Sequence, residues 1–161
     1  MRKLKVYLDT SVISHLDAPD VPEKQEDTRK LWEQMLREKY LAAISDVTID
    51  EIDRCPEPKR TFMLERLAQL QYEELPKSDE AAMLSRLYFE EGGLPPKSRD
   101  DAMHIAIATA AGCDVILSWN FKHIVNLRAI TAVESINIRQ HYPILRIFSP
   151  TMLLEGDEPH E

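Results

Sequence analysis

The chain predicts an α/β fold, a three-layer α/β/α arrangement around a central parallel sheet of about four to five strands. Three observations carry that reading. Short strand candidates (LKVYL, LAAIS, YEEL, DVILS and ILRIFSP) alternate with longer segments of helical periodicity. The segments between them are too long for hairpins, so successive strands run parallel and the crossovers cover both faces. At 161 residues, 43% of them hydrophobic, the chain can fill one core but not two comfortable ones.

In chain order, Leu4 to Leu8 alternates basic and apolar residues and reads as a short strand ending at Asp9, with DTSVISHL turning into a helix. APDVPEKQED, with two prolines and many charges, reads as a surface connection. Behind it, TRKLWEQMLREKY puts Leu31, Met35 and Leu36 on one helical face and ends near Tyr40. LAAIS is the second strand, followed by DVTIDEIDRC, where Thr48 and Glu51 stand at capping-box spacing. Pro56 and Pro58 break the pattern before the helical KRTFMLERLAQLQ. YEEL is the third strand, closed by Pro76. SDEAAMLSRLYFEEG is a helix capped by Ser78 or Asp79 and ended by Gly92 and Gly93. After the loop LPPKS, Ser98 opens the apolar helix RDDAMHIAIATAAG, stopped by Gly112, and DVILS is the clearest strand. AITAVESINIRQHY is helical, and ILRIFSP is a last strand that Pro150 ends. Residues 1–155 thus form one domain, and 156–161 (GDEPHE) an acidic solvated tail.

Composition narrows the function. The net charge of -8 speaks against indiscriminate coating of nucleic acid, which relies on many Lys and Arg neutralising phosphates, though not against a local site. Cys55 and Cys113 lie far apart with no CxxC, so neither a zinc site nor a disulfide framework is indicated. The basic start MRKLK leads to an apolar patch that Asp9 interrupts within a few residues, too short for a signal peptide or membrane span. A reducing cytoplasm is the expected compartment.

Four signatures remain: LDTSVIS with Asp9, SDVTIDEI with Glu51, SRDDAMHIAIA with Asp101, and ILSWNFKHI with Asn120. Asp9, Glu51 and Asn120 follow strands, and open parallel sheets bind ligands outside the carboxyl ends of their strands. Singly, each acid has an ordinary explanation: Asp9 as a helix cap, Glu51 in a box with Thr48, Asp101 in a box with Ser98. Together, the three acids, joined by an amide on one sheet edge, repel one another, and a hard divalent cation is the usual relief. Asp100 and Asp101 point about 100 degrees apart on a helix, so one of them faces such a site, and spacing does not choose. His104 and His123 read as packing or hydrogen-bonding residues, because three carboxylates suffice for a hard cation. Trp32 reads as core, while Trp119 adjoins the site and could be a stacking platform. Lys97, Arg99, Lys122 and Arg128 are the basic side chains available to a substrate.

LDTSVIS, Glu51 in SDVTIDEI, DAMHIA from Asp101, SWNFKHI around Asn120 and the closing strand into SP together resemble the PIN-domain family, and within it the VapC-type toxin branch. The resemblance spans nearly the whole chain. It implies an acidic pocket holding Mg2+ or Mn2+ and endonuclease action on RNA. It implies that Asp9, Glu51 and Asp101 are the metal-binding carboxylates, which selects Asp101 over Asp100. Asn120 stands where the family often has a fourth acid and joins the catalytic set: its amide oxygen can still ligate a metal or orient its water, though it adds no charge and cannot serve as a general base. Thr10 and Ser11 would lend hydroxyls to the water network. A cognate antitoxin and a homodimer are the partners implied, with RNA as substrate and no membrane. The competing reading is a PIN-like binding module or scaffold with weak or no catalysis. Phosphatases of the haloacid-dehalogenase type are disfavoured, since Ser11 stands where their second Asp belongs, and a receiver domain would show paired acids after its first strand.

Overall fold

In the computed structural model of the chain, residues 2–120 and 126–156 are described. Lys122 and His123, and the tail from residue 157, lie outside them. Among the described residues, five strands form one sheet: β1 (Lys5–Leu8), β2 (Leu41–Ser45), β3 (Tyr72–Leu75), β4 (Val115–Leu117) and β5 (Arg146–Phe148). Every pairing is parallel and the order is β3-β2-β1-β4-β5. The α-helices described around it are α1 (Thr10–Ser14), α2 (Pro22–Leu36), α3 (Asp46–Asp53), α4 (Lys59–Ala68), α5 (Asp79–Glu90), α6 (Arg99–Ala110), α7 (Leu127–Arg139) and α8 (Pro150–Gly156). The three-layer α/β/α architecture around a five-stranded parallel sheet is the fold class expected from the sequence.

The strand residues explain the two layers. Successive side chains on a strand point to opposite faces. Tyr7, Ala43 and Ile116 pack with α5, α6 and α7, around Leu84, Tyr88, Ile105 and Val133. Val6, Leu8, Ala42, Ile44, Val115 and Leu117 point the other way, onto Ile13, Leu31, Trp32, Ile52, Met63 and Leu153. With both faces covered, the central strands are buried almost throughout, as parallel sheets require. Full burial of each large apolar side chain contributes about 1.5–3 kcal/mol before conformational entropy is subtracted.

Two prolines act differently from the sequence expectation. Pro22 lies in the first turn of α2, so EKQED belongs to the helix and not to a surface connection. Pro150 likewise opens α8 rather than merely closing β5. Proline's fixed φ suits the first helical turn, where its missing N–H would be unpaired anyway. At its other end α2 stops at Leu36, short of Tyr40, and Glu38 turns the chain with a φ of 58°. Gly92 follows α5 where a Cβ would stand 2.6 Å from the Tyr88 carbonyl oxygen, so the close approach needs glycine. None of the helices among the described residues is long and apolar enough to cross a membrane.

Candidate metal centre

The strand order reverses beside β1: the chain steps outward to β2 and β3, then returns to β4 on the opposite side of β1. Ligands of open α/β sheets settle at such a switch point. Asp9 ends β1 there, its backbone N–H bonded to the Leu117 carbonyl at 3.1 Å. Its backbone leads into α1, yet its side chain makes no capping bond. Instead Asp9 Oδ2 accepts from the hydroxyls of Ser11 and Ser118, both at 2.8 Å. The residue is 3% exposed.

Glu51 is presented by α3. The helix is capped by Ser45, whose hydroxyl accepts from Val47 N–H at 3.2 Å. The expected box between Thr48 and Glu51 is therefore not formed: Thr48 lies inside the helix, fully buried, and its hydroxyl has no hydrogen-bond partner. Glu51, freed from capping, accepts from Thr10 Oγ1 at 3.2 Å and meets His104 Nε2.

The two neighbouring acids of α6 diverge as helical geometry demands. Asp100 reaches Arg54 at 3.5 Å on the surface, while Asp101 Oδ2 accepts from Asn120 Nδ2 at 2.8 Å. The Ser98 side chain makes no capping bond, so the second expected box is also not formed. Asn120 in turn donates its backbone N–H to Ser118 Oγ at 2.9 Å, and Ser118 donates to Asp9. One serine hydroxyl thus joins Asp9 to the pair formed by Asn120 and Asp101.

His104, a packing or hydrogen-bonding residue by sequence expectation, stands between Asp9 and Glu51. Its Nε2 is 3.3 Å from Asp9 Oδ1 and in contact with Glu51 Oε1, and its side chain has no exposed surface. Its Nδ1 is 2.6 Å from the Tyr7 hydroxyl, which is 2.6 Å from Ser45 Oγ. Burial by itself would push the imidazolium toward neutrality, but Tyr7, Glu51 and Asp9 outweigh it and hold its pKa well above the usual histidine range. The sequence signal is its spacing of three from Asp101 within an apolar stretch, AMHIAIA. A polar ring inside such a stretch must find buried partners.

Asp9, Glu51 and His104 each offer a ligand atom, and these atoms lie within 4.8 Å of one another. Two carboxylates and an imidazole are a donor set that suits a divalent cation. Asp101 stands outside that set and feels its charge. Burial, then the Asp9 carboxylate, lift its pKa to about 7. Trp119 is not a stacking platform: it is 6% exposed and its indole N–H donates to Thr28 Oγ1 at 2.8 Å. Trp32 is buried as expected. Lys97, Arg99 and Arg128 are exposed near the starts of α6 and α7.

No family model matches the chain, and no curated protein matches it in sequence. Solved structures do match in fold. The structure of VapBC2 from Rickettsia felis bound to a DNA fragment from its promoter has a TM-score of 0.58 and 14% identity, over 91% of this chain and 98% of that one. VapBC-5 from Mycobacterium tuberculosis, of the VapBC family of toxin-antitoxin systems, has a TM-score of 0.50 and 18% identity, over 90% and 98%.

Proposed function

We propose that the chain is a divalent-metal-dependent endoribonuclease and the toxin of a type II toxin-antitoxin pair, with Asp9, Glu51 and Asp101 holding Mg2+ or Mn2+. The observation that carries this reading is the meeting of Asp9 and Glu51 at the switch point, with Asp101 tied to Asp9 through Asn120 and Ser118. The fold shared with the VapBC structures supports it, and a cognate antitoxin is the partner this implies.

When bound, the cation supplies Lewis-acid charge at a phosphodiester and acidifies the attacking water. Ser11 and Ser118 fix the Asp9 carboxylate from one side, leaving Oδ1 toward the centre. Thr10 orients Glu51. Asn120 spends its amide N–H on Asp101, so its part is to aim that carboxylate, since an amide takes no proton from water. Lys97, Arg99 and Arg128 would receive the flanking phosphates of single-stranded RNA.

The test is cleavage of a mixed RNA substrate by the purified chain with Mn2+, with and without chelator. Asp9→Asn should fold and lose at least about a hundredfold in rate. Negligible metal binding together with no cleavage at any salt concentration would leave a PIN-like binding module instead.

A further inference from the structure

We infer that His104 is a direct nitrogen ligand of the cation held by Asp9 and Glu51, aimed by a buried Tyr7–Ser45 relay, so that the site selects Mn2+ over Mg2+. This rests on the metal-dependent reading above and changes its ligand set: Asp101, bonded to Asn120, then acts through water rather than at the ion.

Three observations support it. First, Nε2 of His104 is 3.3 Å from Asp9 Oδ1. Neighbouring ligands on an octahedral ion with bonds of about 2.1 Å stand about 3 Å apart, so these atoms are spaced as ligands of one ion. Second, the ring is anchored from behind. Nδ1 is held by Tyr7, and Tyr7 by Ser45, whose position is fixed by its capping bond to α3, the helix that presents Glu51. A carboxylate and an imidazole are thus positioned by one residue. Third, the relay can hold the ligating tautomer. With Nδ1 donating to Tyr7 and Tyr7 to Ser45, a ring that keeps its one proton on Nδ1 turns the Nε2 lone pair toward the point that Asp9 and Glu51 face. The proton that Nε2 shares with Glu51 without a cation leaves to solvent as the cation takes its place, and the Nδ1 proton stays on the relay. Buried partners of a ligating imidazole commonly set its tautomer in this way.

An imidazole nitrogen favours borderline transition ions over magnesium, which prefers oxygen throughout. The expectation is Mn2+ binding at least about tenfold tighter than Mg2+, and nitrogen hyperfine coupling in the electron spin-echo spectrum of bound Mn2+. His104→Gln should erase the coupling and weaken Mn2+ at least about tenfold while leaving Mg2+ affinity within about threefold. Tyr7→Phe, which keeps the ring's volume, should keep the coupling but weaken Mn2+ by about 10–100-fold. Mn2+ bound in an Asp9-dependent manner without nitrogen coupling would overturn this inference and leave the nuclease reading standing. No Mn2+ bound at all would overturn both. A Tyr7→Phe protein binding Mn2+ as the parent does would overturn the positioning role of the relay.

Discussion

The hydroxyl of Ser118 donates to Asp9 Oδ2 at 2.8 Å from the end of the adjacent strand, 109 residues away in sequence, while receiving the Asn120 backbone N–H. Ser118→Ala removes both bonds and leaves a buried carboxylate oxygen and a backbone donor short of partners. Such losses cost about 1–3 kcal/mol. Urea denaturation should show a midpoint shift without a change in slope, and Mn2+ affinity should fall severalfold because Asp9 is less firmly aimed. A variant as stable as the parent would refute this role for Ser118.

Asp101 gives the metal-free protein a pH dependence of definite sign. Its folded pKa is raised to about 7 from an unfolded value near 4. Below about pH 4 the carboxyl is neutral in both states and costs nothing. Between about pH 4 and 7 the unfolded chain ionises first, so stability drains as pH rises, and the loss is complete once the native carboxyl ionises above about 7. Allowing for partial solvent screening, the effect is on the order of 1–3 kcal/mol. Asp101→Asn should therefore be more stable than the parent at about pH 8 in chelator, with the advantage vanishing toward about pH 4, as followed by thermal melts across that range.

Metal should act on the same balance from the other side. Mn2+ at about a hundredfold above its dissociation constant stabilises the folded state by about 2.7 kcal/mol. For a chain of this size that is a rise in Tm of roughly 5–11 °C. Differential scanning fluorimetry with increasing Mn2+ should show the rise in the parent and little or none in Asp9→Asn.

Away from the site, Tyr88 donates to Asn137 Oδ1 at 2.7 Å within the core between α5, α6 and α7, and both side chains are buried. Tyr88→Phe keeps the ring's packing but strands the Asn137 carbonyl, at a cost of about 1–3 kcal/mol. Chemical denaturation should record that loss with RNA cleavage unchanged at room temperature. Replacing both partners, Tyr88→Phe with Asn137→Leu, should recover part of it.

What the sequence discloses of this fold depends on where the physics is local. The ends of KVYL, LAAIS and DVILS are visible because a buried strand must give way to polar residues where it leaves the core, and that is where Asp9, Ser45 and Ser118 stand. Ser78 is legible as a cap for the same reason, and its hydroxyl does accept from Ala81 N–H. Pro22 and Pro150 mislead because proline breaks a helix interior but begins a helix equally well, and only the packing of the residues after it decides. Thr48 and Glu51 mislead because capping-box spacing is also the spacing of one helical face, and Ser45 takes the cap instead. His104 is the hardest to read. Its partners Tyr7, Asp9 and Glu51 lie on other elements, so its identity as the hub of the polar centre emerges only when the sheet brings those elements together.

That dispersion determines how a metal ion and the fold depend on each other. Glu51 and His104 are 53 residues apart and come from α3 and α6, while Asp9 comes from the end of β1 on the other side of a crossover. No contiguous stretch carries two of these donors, unlike a zinc finger, whose ion can organise a short peptide by itself. An ion cannot nucleate this chain. An ion held as proposed could be captured only after β1, β2 and β4 have aligned, so its occupancy would measure completed assembly of the sheet, and a chelator should leave the protein folded, only easier to unfold.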